Sequence, residues 1–314
     1  MRRYRILTWQ VHGNYLYYLT QAPHEFHVLS RPGCPPGYGG RNGALPWGDN
    51  VHDCPVERVR DLDFDCVLYQ SLAHYQKDAA EILSDAQRRR PSIYLEHDPP
   101  LGHPTNTVHP VTDPGMMIVH VTHYNALMWD CGRVPTRVIE HGVLVPDDAR
   151  YTGEVARGVC SINHLARRGR RLGADVFERW REGVPIDLFG MDAERSGGSG
   201  ELAYADLMRT IGRYRFYAHP VRYTSLALAV CEAMMIGLPV IGLGTTELPR
   251  VIEESRGGCV DTRIDRLIEV SRQLLRDPAE AHALGRAARA YARERFGIAR
   301  FAADWSAAFD ALLA

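Results

Sequence analysis

The chain predicts an α/β protein of two domains, each built on a parallel sheet. Three observations carry that expectation. Short apolar runs alternate with longer amphipathic stretches along the whole sequence. The 314 residues are long for one hydrophobic core and comfortable for two. Near residues 146–153 the composition turns polar, and a second alternating run then begins.

In the first half, apolar and β-branched runs predict strands at residues 4–9, 26–29, 66–70, 92–96, 117–121 and 137–140. Residues 73–89 carry one polar and one apolar face and predict a helix; residues 122–130 predict a short one. Residues 31–55, rich in Pro and Gly, show no periodicity and read as a long loop. The second half predicts a strand at 158–162, a basic helix at 172–181, a strand at 186–189 and a Gly/Ser loop at 196–200. From residue 263 onward the pattern is helical. Its last piece, 301–313, has an apolar stripe of Phe301, Trp305, Phe309 and Leu312. The expected division is 1–150, 151–298 and a terminal helix, 299–314, whose stripe either returns to the first domain or closes the core of the second.

Hydrophobic content of 45% and charged content of 24% are ordinary for a globular protein. A net charge of −1 selects neither nucleic acid nor a membrane surface as partner. Basic charge is arginine except at Lys77; arginine suits bidentate phosphate contacts, and genome composition would produce the same bias. Seven single cysteines with no C-x-x-C pair predict reduced thiols and a cytoplasmic location. The first apolar run is broken by Gln10 and His12, which argues against a signal peptide, and no window of about 18 apolar residues exists to span a membrane.

The most informative stretch is His219 to Arg250, HPVRYTSLALAVCEAMMIGLPVIGLGTTELPR. It reads as a strand end, a loop, a helix opening at Thr224-Ser225 with hydroxyls as caps, then Gly237-Leu-Pro and a buried strand at 240–243. Free amides at such a helix start bind phosphate, and Arg222 stands just before it. Glu232 is a lone carboxylate in an apolar turn, costly unless it is paired or faces a ligand.

This stretch resembles the donor-binding element of retaining GT-B glycosyltransferases of family 4, E-x-F-G-x-x-x-x-E-A-M-A-x-G-x-P-V, at Glu232-Ala-Met, Gly237 and Pro239-Val240. Thr224 stands where the first Glu of that motif would be, and Ala227 where it has Gly. The resemblance is most specific from about residue 138 to 305. It implies two Rossmann-like domains facing each other across a cleft, with the donor held by the second and the acceptor by the first. It further implies metal-independent transfer of a hexose from a UDP- or GDP-sugar to a hydroxyl, in polysaccharide or glycoconjugate synthesis. Expected partners are thus a nucleotide-sugar donor, as co-substrate with no resident cofactor, and a glycan, lipid or small-molecule acceptor. Nucleic acid is not expected as a partner, and peripheral membrane contact stays open.

By the same resemblance Glu232 holds the ribose hydroxyls, and the backbone of Thr224, Ser225 and Leu226 holds the diphosphate. Asn163 and the cationic run Arg167, Arg168, Arg170 and Arg171 follow the first strand of the second domain, where the family has G-R-x-x-x-x-K-G at the diphosphate. Arg167 and Arg171 are assigned to catalysis, Arg168 and Arg222 to donor binding. Gly13, between His12 and Asn14, matches the family's loop after the first strand; Gly190 matches its nucleotide-side glycine; His141-Gly142-Val143 matches its N-G-V. His97, in Glu96-His-Asp-Pro99, is placed near the reacting sugar. Thr245, Thr246 and Glu247 could line the sugar pocket, or Thr246 could simply cap the next helix. His97, His103, His109, His120 and His123 lack any metal-ligand spacing, so no metal is assigned. Asp63-Phe-Asp65 reads as a strand-edge cap. Two other readings stay open: a nucleotide-sugar epimerase, which needs acid/base carboxylates such as Glu96 and Asp98, and a non-catalytic transferase-like binding module.

Overall fold

The computed structural model describes residues 2–11, 13–43 and 45–313. They form two compact units, Met1–Gly142 with Ile298–Ala314, and Val143–Gly297.

Unit 1 carries seven parallel strands: β1 (Arg5–Thr8), β2 (Glu25–Ser30), β3 (Val51–Pro55), β4 (Cys66–Tyr69), β5 (Ser92–Glu96), β6 (Met117–His120) and β7 (Thr136–Val138). Their order across the sheet is β3-β2-β1-β4-β5-β6-β7. The chain thus winds one way from β1 and the other way from β4, which puts a topological switch point between these two strands. Strands β1 and β4 are almost wholly buried, as strands covered on both faces must be. β3 corrects the reading of residues 31–55 as a loop throughout. As an edge strand it buries only Val51 and Cys54 and ends in a proline, so it shows no period of two.

The final helix, Ile298–Leu313, packs within unit 1. Phe301, Trp305 and Phe309 are fully buried, Phe301 edge-on to Tyr15 and Phe309 edge-on to His24. Ser306 Oγ lies 3.1 Å from His24 Nε2, and the Tyr4 hydroxyl donates to Asp310 at 2.9 Å. Gly142 admits this helix, because a Cβ there would lie 2.2 Å from that of Phe301.

Unit 2 carries five parallel strands: β8 (Val155–Ser161), β9 (Ile186–Phe189), β10 (Tyr214–His219), β11 (Val240–Leu243) and β12 (Gly258–Asp261). Their order is β12-β11-β10-β8-β9, with the switch point between β8 and β10. One layer of the core gathers Phe177, Trp180, Phe216, Ile241, Leu267 and Leu274, and Ser271 Oγ satisfies the buried Trp180 Nε1 at 3.0 Å. The helix Leu228–Ile236 is apolar all round but for Glu232 and stops at Gly237, whose φ of 110° lies in the left-handed region that a helix terminus favours. Its start differs from expectation: Ala227, without a side-chain cap, precedes the first helical residue. Thr224 and Ser225 belong instead to the loop before it, where Ser225 is buried.

Candidate functional site

Ligands of open α/β sheets bind beyond the carboxyl ends of the strands at a switch point. In unit 2 that position is built from the segment after β8 (residues 162–173), the loop after β10 (220–227) and the loop after β11 (244–247).

Glycines let these segments approach one another. Gly173 has φ 77°, and a Cβ there would sit 1.9 Å from the Pro220 carbonyl oxygen; Gly190 has φ 133°, with the Ile162 carbonyl oxygen 2.6 Å from where its Cβ would be. Asn163 Oδ1 accepts from the Met191 amide at 2.9 Å, which ties the end of β8 to the turn after β9. The amides of Arg222 and Tyr223 both donate to the Arg171 carbonyl. Thr245 Oγ1 donates to the Val221 carbonyl and Thr246 Oγ1 to that of Ser225, each at 3.1 Å. Thr246 holds φ 55°, a strained conformation for a β-branched residue that those contacts maintain. It does not cap the next helix: Glu247 occupies that position. These two hydroxyls, rather than helix caps at Thr224 and Ser225, fix the 221–226 loop.

The arginines separate into two kinds. Arg222 makes a two-pronged ion pair with Asp175, its Nη2 at 2.7 Å from Oδ2, and donates to the Arg170 carbonyl at 2.8 Å; Arg170 shares the same carboxylate at 2.6 Å. Arg222 holds that carboxyl below the usual range. Arg167 and Arg171, by contrast, make no side-chain hydrogen bond or ion pair among the described residues. They are the cations of this segment left to meet an anion. Arg168 has other contacts.

Glu232 is 4% exposed, in the second turn of the Leu228 helix. Burial, with Cys160 and the Glu232 carboxylate adding to it, pushes the Tyr217 hydroxyl far above its ordinary value. Tyr217 donates to the Ser161 carbonyl at 3.2 Å, linking β10 to the end of β8. His219, at the end of β10, was not among the expected site residues. Burial pushes it down to about 4, so it is a neutral imidazole at physiological pH, and its Nδ1 has no partner among the described residues.

In unit 1 the equivalent edge gathers the ends of β1, β4 and β5. His97 Nε2 lies 3.2 Å from Gln70 Oε1. Because the Gln70 amide nitrogen already donates to the Trp9 carbonyl (2.9 Å) and Thr8 Oγ1 (3.1 Å), its oxygen must face His97. That makes His97 Nε2 the protonated ring nitrogen. His97 also meets Tyr15 edge-on, with ring centroids 4.8 Å apart. Glu96 and His109 brace the turn: Glu96 Oε1 accepts from the Asp98 amide, and Oε2 lies 3.2 Å from His109 Nε2. His109 Nδ1 accepts from the Val111 amide, so its Nε2 is the donor to Glu96. His120 pairs with Cys131 at 3.5 Å, and no group of three or more His, Cys, Asp or Glu that could hold a metal ion occurs among the described residues.

One expectation changes on this edge. Gly13 opens the helix Gly13–Leu19 outside the left-handed region, and a Cβ there would touch only Leu45 at 3.8 Å, so the backbone does not demand glycine. His12 lies outside the described residues. Asp63 and Asp65 serve the strand edge, with Asp65 Oδ2 accepting from the Arg5 amide at 2.8 Å and Asp63 pairing with Arg5 and Arg90. No helix among the described residues is long and apolar enough to cross a membrane.

Residues 162–307 match the sequence model of a family described as glycosyl transferase-like. No curated protein matches the chain by sequence. Among solved structures, sucrose-phosphate synthase from Thermosynechococcus elongatus is similar at TM-score 0.69 and 14% identity, covering 99% of both chains. Anabaena HepE in complex with UDP is similar at TM-score 0.71 and 13% identity, over 99% of this chain and 100% of the other. A glycosyltransferase from Rickettsia africae ESF-5 is similar at TM-score 0.70 and 12% identity, over 100% and 99%. The chain therefore has the GT-B fold of two Rossmann-like domains, and its second half carries the sequence signature of the glycosyl transferase-like family.

Proposed function

We propose that the chain is a retaining glycosyltransferase of the family 4 type, which moves a hexose from a UDP- or GDP-sugar to a hydroxyl. The observation that carries this reading is the chemistry after β8 and β10. Among the described residues, Arg167 and Arg171 are cations without side-chain partners, the Leu228 helix starts without a side-chain cap, and Glu232 is buried within that helix. The match of this segment to a glycosyl transferase-like family supports it, and the UDP complex of a similarly folded protein makes UDP the first nucleotide to test.

In the reaction, the acceptor oxygen forms a bond to the anomeric carbon on the face from which the diphosphate departs. The C1–O bond breaks with its electron pair going to the diphosphate, and the acceptor proton passes to a donor phosphate oxygen. Charge on the leaving diphosphate grows along this path, so Arg167, Arg171 and the amides of residues 224–226 lower the barrier most where that charge is greatest. These groups do the work a divalent cation would do, and turnover is expected to persist in EDTA. Glu232, an acceptor-only group, receives the two ribose hydroxyls. His97, oriented by Gln70, faces the sugar.

Calorimetric titration with UDP, GDP, dTDP and ADP, with and without EDTA, tests the reading. One nucleotide is expected to bind irrespective of EDTA, and Glu232→Ala to weaken it by about 1.5–3 kcal/mol for each charge-assisted hydrogen bond lost. Failure of all four to bind would leave the non-catalytic module as the better account.

A further inference from the structure

Unit 1 holds a pocket of 640 Å³ at the switch point of its own sheet. Gln10 and Val11, after β1, form one wall; Ser71, His74 and Lys77, after β4, form another. The segment 34–42 covers it, and this segment is ordered: Tyr38 donates to Pro35 and Gln10 to the Gly37 carbonyl at 3.0 Å, while the Gln10 amide side chain donates to Asn42 at 2.8 Å. Gly37 and Gly39 permit the cover to close down, since a Cβ at either would lie within 2.2 Å of His74 Nε2 or Gln10 Oε1. The far wall is a π-helical turn, His74–Asp78, a rare geometry that tends to mark ligand sites.

The lining holds one cation, Lys77, and one carboxylate, Asp78. Asp78 accepts from the Tyr38 hydroxyl at 2.6 Å and lies 3.9 Å from His74 Nε2, so its demand is met. Lys77 makes no hydrogen bond or ion pair among the described residues. It is also the chain's single lysine among 37 basic residues. Lys77 is exposed at the pocket's edge, where a compact ammonium with three freely directed donors can turn toward an anion. Around it, Gln10, Asn42 and Ser71 offer amide and hydroxyl groups, while Pro35, Pro36 and Tyr38 offer apolar faces.

We propose that this pocket holds the acceptor and that the acceptor is anionic, a hydroxylated molecule of sugar size whose phosphate or carboxylate is bound by Lys77. The inference rests on the transferase reading and narrows its acceptor class. A pocket of this volume accommodates one or two sugar rings.

The single lysine gives a direct probe. Reductive methylation with ¹³C-formaldehyde labels Lys77 Nζ and any free α-amino group, which its lower pKa distinguishes. Hexose 6-phosphates and hexuronates of gluco, manno and galacto configuration are titrated against the neutral hexoses and inorganic phosphate. At least one anionic sugar is expected to shift the Lys77 resonance saturably, and to bind about tenfold or more tighter than its neutral parent. Lys77→Gln, a surface change expected to leave the melting temperature unaltered, is expected to reduce that advantage to about twofold. Equal affinity for neutral and anionic sugars, a Lys77 resonance that no anionic sugar moves, or retention of the advantage in Lys77→Gln each overturns the proposal. Inorganic phosphate binding as tightly as the sugar phosphates also overturns it, in favour of a plain anion site. UDP titrated into the same sample reports on the transferase reading separately.

Discussion

Arg167 and Arg171 differ from Arg170 and Arg222 in a way that only three dimensions reveal. Asp175 bridges the second pair, whereas the side chains of the first pair have no such partner among the described residues. Truncating a cation that meets charge in the transition state costs roughly 10²–10³ in kcat, as loss of one oxyanion donor does. Arg171→Ala and Arg167→Ala are therefore expected to reduce kcat by about a hundredfold with little change in unfolding free energy. Arg222→Ala is expected to act mainly on stability, because it strips a partner from Asp175 and frees the Arg170 carbonyl. Steady-state kinetics beside urea unfolding separates the two; an equal kcat loss in Arg222→Ala would show that its ion pair opens for the ligand. In the sequence all of these arginines look alike, since the residue that divides them lies outside the run itself. Glu232 stands out in the sequence as the one carboxylate in CEAMM, and the structure buries it. His219 was not, because a histidine at a strand end carries no local sign of how deeply it is buried.

At the scale of elements, strands with mostly buried residues were readable whether central or at an edge, and the more open ones were not. β5 and β9 coincide with their expected bounds, since most of their residues are buried and apolar: Ile93, Tyr94 and Leu95 in the one, Ile186, Leu188 and Phe189 in the other. β3 and β12 lie at sheet edges; β3 buries only Val51 and Cys54, β12 is half-buried throughout, and neither shows a clear apolar pattern. The helix after β10 illustrates a different failure. Thr224 and Ser225 have cap chemistry, yet the Ser225 carbonyl is claimed by Thr246, which delays the helix to Leu228. The junction of the two candidate-site loops hinges on Gly173. With φ 77° and a Cβ position 1.9 Å from the Pro220 oxygen, Gly173→Ala incurs both a left-handed backbone penalty and a backbone clash. A loss of about 2–4 kcal/mol in urea unfolding is expected, with weaker nucleotide binding alongside. Gly169→Ala serves as control: its φ of 57° and ψ of −137° also disfavour a side chain, but nothing lies within 4 Å, so only the conformational cost of about 1–3 kcal/mol applies. Equal losses at the two positions would mean that Pro220 can retreat.

For the whole molecule, acid sensitivity follows from three imidazoles. Burial pushes His74, His120 and His219 down to about 4, against about 6.5 in an unfolded chain. Between those values the unfolded chain binds protons that the folded chain refuses, so stability falls as pH is lowered. The full contribution is present above pH 6.5. Each histidine removes about 1.4 kcal/mol per pH unit below that, until its folded pKa is reached. Urea unfolding at pH 7.5, 6.5, 5.5 and 4.5 is expected to show a flat upper range and then a decline that begins well above the carboxylate range. A profile unchanged down to pH 4.5 would show that these imidazoles take up protons without unfolding.

The return of the last helix to unit 1 also has a consequence for birth on the ribosome. Unit 2 is one continuous stretch and is complete in the nascent chain before Ile298 is made. Unit 1 begins first yet must wait for Phe301, Trp305 and Phe309 to cover Tyr15 and His24. At about 5–20 residues per second, that surface stays bare for roughly ten to thirty seconds while all of unit 2 is translated. The older half of the nascent chain is thus the one that most needs a chaperone's shelter.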